Sequence, residues 1–285
     1  MANKHSTKTR YHQKIELVID YIHQHIDEPL SFAKLAQIAC LSEYHWHRVY
    51  TSMTGGETIT RTIRRLRLNR AADDLINTNL SIAKIGQRAG YMNSDSFTRK
   101  FSEDIDISPI SYRNRGQLLI QQSKNIKAFN KHLYNVEITT LDSITVATMD
   151  HQGDFSQITS VFARLESFAR VNDLLDASTR TFGIYYDDPN IVEEKKRRSK
   201  ACITVQKPIA SHEGIDIVTI PKGRFAMITH KGPYSELEHV YRWFYNWLVN
   251  SEHEPGNHPM LEEYLNNPRE IAPSELLTTT YLSIK

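Results

Sequence analysis

Leu30-Ser31-Phe32-Ala33-Lys34-Leu35 recurs fifty residues later as Leu80-Ser81-Ile82-Ala83-Lys84-Ile85, and this doubled stretch decides how the first half of the 285-residue chain is read. Around both copies, residues 12–112 hold few glycines and place apolar residues at helical spacing, with Ile15, Val18, Ile19 and Ile22 forming one stripe. Ser31 and Ser81 each precede an apolar helical run. A serine hydroxyl there can accept from the free amides of the first turn. A turn follows, at Cys40-Leu41 in the first copy and at Gly90 in the second. Beyond it, at an offset of fifty-one, Trp46 aligns with Phe97, Arg48 with Arg99 and Tyr50 with Phe101. In each of these helices the apolar i,i+4 pair, Trp46/Tyr50 or Phe97/Phe101, marks the core face. The opposite face carries Tyr44, His47 and Arg48 in the first copy and Ser94, Asp95, Thr98 and Arg99 in the second.

A helix, a short turn and a second helix with an Arg-bearing polar face is the pattern of a helix-turn-helix reader of the DNA major groove. Arg can bridge guanine O6 and N7, while Ser, Thr and His can contact bases or phosphates. A helical bundle with solvated faces explains one such pair as well; two matched copies in a basic half favour DNA. Residues 1–115 carry 17 Lys and Arg against 12 Asp and Glu, whereas residues 116–285 carry 18 against 21. A basic half suits a polyanion partner. Between the two units, Thr58 to Asn77 reads as a single helix bearing Arg61, Arg64, Arg65, Arg67 and Arg70. Such a rod spans about 30 Å against about 34 Å for a turn of B-DNA. Two recognition helices could therefore enter successive major grooves on one DNA face.

A second repeat, with a different period, fills the other half. His151-Gln152-Gly153-Asp154-Phe155-Ser156 recurs seventy-nine residues on as His230-Lys231-Gly232-Pro233-Tyr234-Ser235. The offset also relates alternating segments such as Thr145–Met149 and Arg224–Ile228, which read as strands. Each copy is expected to run strand, helix, strand, strand. Two copies would build an antiparallel sheet with one helix each and a ligand cleft between them. The second copy is rich in aromatics. Leu237, Val240, Tyr241, Phe244 and Leu248 form the expected buried stripe of its helix, with Trp243 and Trp247 on another face. Glu262 and Tyr264 alternate along a strand and so point the same way. A carboxylate facing aromatics favours a cationic, apolar ligand. The duplication breaks here, because Gly183 stands where the second copy has Glu262.

Other chemistries find no support. No apolar run approaches the roughly 20 residues that span a bilayer, and Met1–Ser6 lacks the apolar core of a secretory signal. Cys40 and Cys202 are single cysteines, as expected in a reducing cytoplasm. The thirteen histidines show no zinc-like spacing, and neither a phosphate loop nor a nucleophile elbow is present. No catalytic residue, metal or cofactor is assigned.

Residues 12–115 resemble the DNA-binding domain of the AraC/XylS transcription regulators. The likeness is carried by Leu30-Ser31, Leu35-Ala36, Arg48-Val49-Tyr50, Ile63-Arg64-Arg65-Leu66-Arg67-Leu68, Gly90-Tyr91, Ser96-Phe97-Thr98-Arg99-Lys100-Phe101 and Ser108-Pro109-Ile110-Ser111-Tyr112-Arg113. In that family the base-reading positions fall on Tyr44, His47 and Arg48, and on Ser94, Asp95, Thr98 and Arg99. Cys40 departs from the usual small turn residue, and Thr62 stands where an aromatic is frequent.

Residues 135–285 are similar to the GyrI-like effector-binding domain, through His151-x-Gly153, Gly183-Ile184-Tyr185-Tyr186-Asp187-Asp188-Pro189, Ile220-Pro221-Lys222-Gly223-Arg224-Phe225-Ala226 and Glu262-Glu263-Tyr264-Leu265-Asn266-Asn267-Pro268. That resemblance implies ligand contacts from Glu262, with Phe155, Phe182, Tyr234 and Trp247 as aromatic lining. Together the resemblances imply an all-α domain at 8–115 with two helix-turn-helix units on a long helix, a linker at 116–134, and an α+β domain at 135–285. The expected protein is a cytoplasmic, nucleoid-associated transcription activator. It binds double-stranded promoter DNA and RNA polymerase, senses a small lipophilic or cationic effector, and has no membrane partner. Two alternatives remain: hydrolysis of a bound electrophile by Glu262 with Tyr264 or Tyr186, or a second half that serves only as a protein-contact module.

Overall fold

The computed structural model describes residues 2–54, 56–124, 133–189, 191–207, 209 and 214–285. Its first half is helical: α1 (Ala2–Gln24), α2 (Phe32–Ile38), α3 (Glu43–Met53), α4 (Ile59–Asn77), α5 (Ile82–Arg88), α6 (Ser94–Ile105) and α7 (Pro109–Lys124). The expected caps start α2 and α5, where Ser31 and Ser81 Oγ accept from the Lys34 and Lys84 amides, each at 3.2 Å. Ser42 starts α3 in the same way, and Asn93 starts α6, accepting from the Ser96 amide at 2.8 Å.

Both turns after the first helix of the pair use the left-handed backbone, with φ of 49° at Cys40 and 87° at Gly90. At φ 87° any side chain on residue 90 would be strained, and a Cβ there would also displace the Arg67 guanidinium, so glycine suits this copy. A non-glycine residue in this conformation costs roughly 1–2 kcal/mol. Cys40 is exposed, and Lys14 of α1 donates to the Ala39 and Cys40 carbonyls at 2.7 and 3.0 Å, tying the strained turn down. Thr62 is buried and shares a 2.8 Å hydrogen bond with the Tyr50 hydroxyl. A polar residue therefore satisfies the tyrosine at the place where an aromatic was expected. The last helix runs on to Lys124, so residues 116–124 of the expected linker continue α7, and 125–132 lie outside the described residues.

The second half contains β1 (Glu137–Leu141), β2 (Ile144–Gln152), α8 (Ile158–Val171), β3 (Thr181–Tyr185), β4 (Arg198–Thr204), β5 (Asp216–Ile220), β6 (Gly223–Lys231), α9 (Leu237–Val249), β7 (Met260–Tyr264) and β8 (Leu277–Ile284). A single 3₁₀ turn precedes each helix, at Phe155–Gln157 and Tyr234–Glu236. Each copy therefore opens with one strand more than the sequence pattern suggests. These first strands are five residues long with mostly exposed or half-buried side chains, and so show little apolar alternation.

Two compact units emerge, residues 1–64 with 143–221 and residues 65–142 with 222–285. Each takes one helix-turn-helix and one sheet-and-helix layer. In the first unit the antiparallel strands run β3-β4-β2-β5, and α8 buries Ile158, Val161, Leu165 and Ala169 against Ala147, Met149, Ala201 and Ile203. Helix α1 packs on α8, where Arg164 Nε meets Glu16 at 3.0 Å and burial raises the Asp20 carboxyl above its ordinary range. In the second unit the order is β7-β8-β6-β1. The first strand of each copy thus completes the sheet layer of the other.

The core of the second unit corrects one expectation. Trp243 is buried with Val240 and Phe244 instead of lying on a separate face, because Tyr134 ahead of β1 closes over it with a ring separation of 5.1 Å. Tyr241, expected in the stripe, is only half-buried. Among the described residues no helix is long and apolar enough to cross a membrane.

Candidate DNA-reading and ligand-binding sites

The outer faces of α3 and α6 follow directly from their buried pairs. Trp46, Phe97 and Phe101 are fully buried and Tyr50 is 2% exposed, which leaves Tyr44, His47, Arg48, Asp95 and Arg99 exposed and Ser94 and Thr98 half-buried. Arg48 Nη1 donates to the Tyr44 hydroxyl at 2.8 Å, and its guanidinium lies 5.7 Å from the Tyr44 ring centre. Tyr44 therefore holds Arg48 in one posture on the face away from the core. The His47 ring sits 6.3 Å from Phe32 at the start of α2. In the second copy Asn93 Oδ1 accepts from both the amide and the hydroxyl of Ser96, fixing the first turn of α6 from which Ser94 and Asp95 project. Each helix thus offers one exposed arginine beside short polar side chains, a set able to donate to guanine and to phosphate oxygens.

The ligand residues fall within single copies of the second repeat. In the second copy the Tyr264 hydroxyl donates to Glu262, and the Tyr264 ring meets Tyr234 edge-on at 5.4 Å. Glu262 is 3% exposed and lies opposite Thr280 on the sheet face covered by α9. The neighbouring carboxylate, Glu263, points to the other face and accepts from the Tyr281 hydroxyl at 2.7 Å. Burial and the Glu262 charge both push the Tyr234 hydroxyl above its ordinary pKa, while the Arg65 charge acts the other way. The phenol stays neutral, and a buried carboxylate edged by aromatic rings has the chemistry to accept a cation.

The first copy repeats the rings without the charge. Phe155 meets Tyr185 edge-on at 5.0 Å, and Gly183 stands in place of the glutamate. Phe182 does not join this pair. It lies opposite Cys202, whereas Gly183 lies opposite Ala201, which packs under α8. Phe182 therefore faces away from α8, fully buried, with the Arg180 guanidinium 4.8 Å from its ring centre. Trp247 is set further along α9, with ring contacts to Phe244 at 5.8 Å and His253 at 5.7 Å. Tyr186 is exposed and stacks with Arg198.

One cluster below Tyr234 was not visible in the sequence. Glu236, in the 3₁₀ turn, is 6% exposed, forms an ion pair with Arg115 of α7, and lies 3.2 Å from His230 Nε2. Gly232, at φ 149°, makes room for it, since a Cβ there would lie 2.8 Å from both Glu236 Oε2 and His230 Nε2. Burial, then the Arg115 charge and His239, bring the His230 pKa from 6.5 to about 4. His239 is lowered too, chiefly by burial. Both imidazoles are neutral at pH 7. The unfolded chain takes up their protons first, so stability is full above pH 6.5 and falls as pH drops toward the folded value. One such group contributes up to about 1.4 kcal/mol per pH unit. Chemical denaturation midpoints should accordingly fall between pH 7 and 5.5, and His230→Gln should flatten that slope. A slope unchanged in the variant would place the pH dependence elsewhere.

With this geometry in place, comparison with known proteins gives the following likenesses. The family described as GyrI-like small molecule binding domain matches residues 134–285, and a helix-turn-helix domain family matches residues 35–115. Regulatory protein SoxS of Escherichia coli K12 is 34% identical over 105 residues, covering 36% of this chain and 97% of SoxS. Multiple antibiotic resistance protein MarA of Salmonella typhimurium is 27% identical over 99 residues, covering 35% of this chain and 77% of MarA. Among solved structures, an EcmrR–DNA complex aligns at a TM-score of 0.49 and 18% identity, covering 85% of this chain and 82% of that one.

Proposed function

Since the chain belongs to the GyrI-like small-molecule-binding family and carries an AraC-type helix-turn-helix region homologous to the SoxS and MarA transcription regulators, we propose that it activates promoters in response to a small lipophilic cation. Residues 8–115 read DNA, 116–134 connect, and 135–285 receive the effector. Tyr44, His47 and Arg48 on α3, with Ser94, Asp95, Thr98 and Arg99 on α6, face the bases, and RNA polymerase is the downstream partner in the cytoplasm. Glu262 takes the cation. Tyr234 and Tyr264 line its site, with Trp247 further along α9 contributing less directly. The observation that carries the sensing half is Glu262 itself, a buried carboxylate held by Tyr264 beside Tyr234.

This reading makes the second half a binder and not a catalyst. Selection of duplexes from random DNA, with and without tetraphenylphosphonium, tests it. One DNA sequence class should emerge, and the cation should change transcription from a promoter bearing it. Arg48→Ala and Arg99→Ala should each cost about 1–3 kcal/mol in DNA affinity and relax preference at one base position. Uniform weakening across all sequences would assign both arginines to phosphate instead. Turnover of a bound electrophile, lost in Glu262→Gln, would sink the binder reading in favour of a hydrolase.

A further inference from the structure

The 3₁₀ turn Tyr234–Glu236 has a property that neither repeat requires. Its three consecutive side chains face two different places. Tyr234 turns toward the effector residues and meets Tyr264, whose hydroxyl is on Glu262. Ser235 Oγ shares a 2.6 Å hydrogen bond with the Tyr112 hydroxyl of α7. Glu236 forms an ion pair with Arg115, one turn further along α7. The Tyr112 ring in turn belongs to the core behind the second recognition helix, 5.4 Å from Phe101, which lies 5.5 Å from Phe97. Thr98 and Arg99 occupy the outer face of that same helix. A second tie sits at its far end, where Ser274 Oγ donates to Asp106 Oδ2 at 2.6 Å.

We infer that the Tyr234-Ser235-Glu236 turn is the relay by which occupation of the Glu262 site alters the DNA-reading helix α6, through Tyr112 and Arg115 of α7. The inference rests on the sensing role proposed above and names its route. A cation that takes the Glu262 carboxylate competes with the Tyr264 hydroxyl, so the Tyr264 ring and the Tyr234 ring packed on it must shift. Tyr234 cannot move without its two neighbours in a three-residue turn. Those neighbours hold α7 by a part-buried hydrogen bond and by a carboxylate that is 6% exposed. Burial has already raised the Tyr112 hydroxyl to about 12, so it stays a neutral donor and acceptor across the accessible pH range. The first copy has no equivalent carboxylate at either place. Gly183 replaces Glu262, and Gln157 replaces Glu236, so the relay belongs to the second copy alone.

Coupling between sites is reciprocal, so DNA must change effector affinity by the factor by which effector changes DNA affinity. The test uses the full chain, tetraphenylphosphonium and a duplex recovered by the selection above. The wild-type Kd for the cation should differ by about 5-fold or more between free and DNA-bound protein. In Tyr112→Phe/Arg115→Gln that difference should shrink below 2-fold, while cation binding to the free protein is unchanged. Phenylalanine keeps the ring packed on Phe101, and Ser235→Ala offers a second break in the same link should the double variant melt early. Hydrogen exchange at the amides of residues 234–237 supplies an arm without effector. DNA should slow exchange there in the wild type and not in the variants. If the cation fails to bind at all, the sensing reading falls and the exchange arm still decides the relay. Undiminished coupling in the variants, or exchange that responds to DNA equally in both, overturns it.

Discussion

Phe97→Ala is expected to destabilise the second helix-turn-helix by about 3–5 kcal/mol and to abolish sequence-specific DNA binding near physiological temperature. Phe97 is fully buried, with ring contacts to Tyr91 at 5.6 Å and Phe101 at 5.5 Å. On its third side is Gly86 of α5, where an added Cβ would lie 2.9 Å from the Phe97 Cβ. Glycine lets α5 approach this closely, and it has no side chain with which to refill the space after truncation. Collapse would require α5 and α6 to move together, against Ile85, Leu75 and Tyr112 in the same cluster. A domain's whole stability is about 5–15 kcal/mol, so the loss is a large share of it. Denaturant unfolding followed by far-UV circular dichroism checks the magnitude. A midpoint shift worth less than about 1 kcal/mol would mean that the two helices close up after all.

The same residue shows what was legible in the sequence. Phe97 and Phe101, i,i+4 on a segment started by a polar cap, could only face inward, and the outward face followed without reference to any fold. The capping serines were equally plain, because an orphan amide needs an acceptor and Ser31 and Ser81 stood at the right places. Sheet-face assignment was partly legible. Phe182 is one residue out of phase with Gly183, and a shift of one residue in a strand reverses the face; alternation along β3 could have separated it from Tyr185. The first strands were hidden because Glu137–Leu141 and Asp216–Ile220 expose much of their surface. Trp243 was misplaced because helical periodicity describes one apolar stripe and says nothing of a second cover such as Tyr134. The pairs Tyr112–Ser235 and Arg115–Glu236 join residues more than 120 positions apart, and no local pattern encodes a contact of that range.

Glu262→Gln should weaken binding of a lipophilic cation such as tetraphenylphosphonium by about 2–5 kcal/mol, or roughly 30- to several-thousand-fold in Kd. Glutamine keeps the shape of the side chain and a carbonyl acceptor for the Tyr264 hydroxyl, so the rings should stay where they are and only the charge is lost. In a site 3% exposed that charge is weakly screened, which makes its removal costly for a cation and nearly indifferent for a neutral ligand of equal size. Two controls separate charge from structure. Glu263→Gln changes an adjacent, equally buried carboxylate that faces the other side and is held by Tyr281, and it should leave cation affinity within about 3-fold, below 1 kcal/mol. Tyr264→Phe removes the hydroxyl that competes for Glu262 and should leave cation affinity equal or higher. Isothermal titration on the 285-residue chain reads all three. Equal losses in Glu262→Gln and Glu263→Gln would trace the effect to the strand's stability. A Glu262→Gln Kd within about 3-fold of wild type would mean that cation recognition does not reside in this carboxylate, and the break in the second repeat would need another explanation.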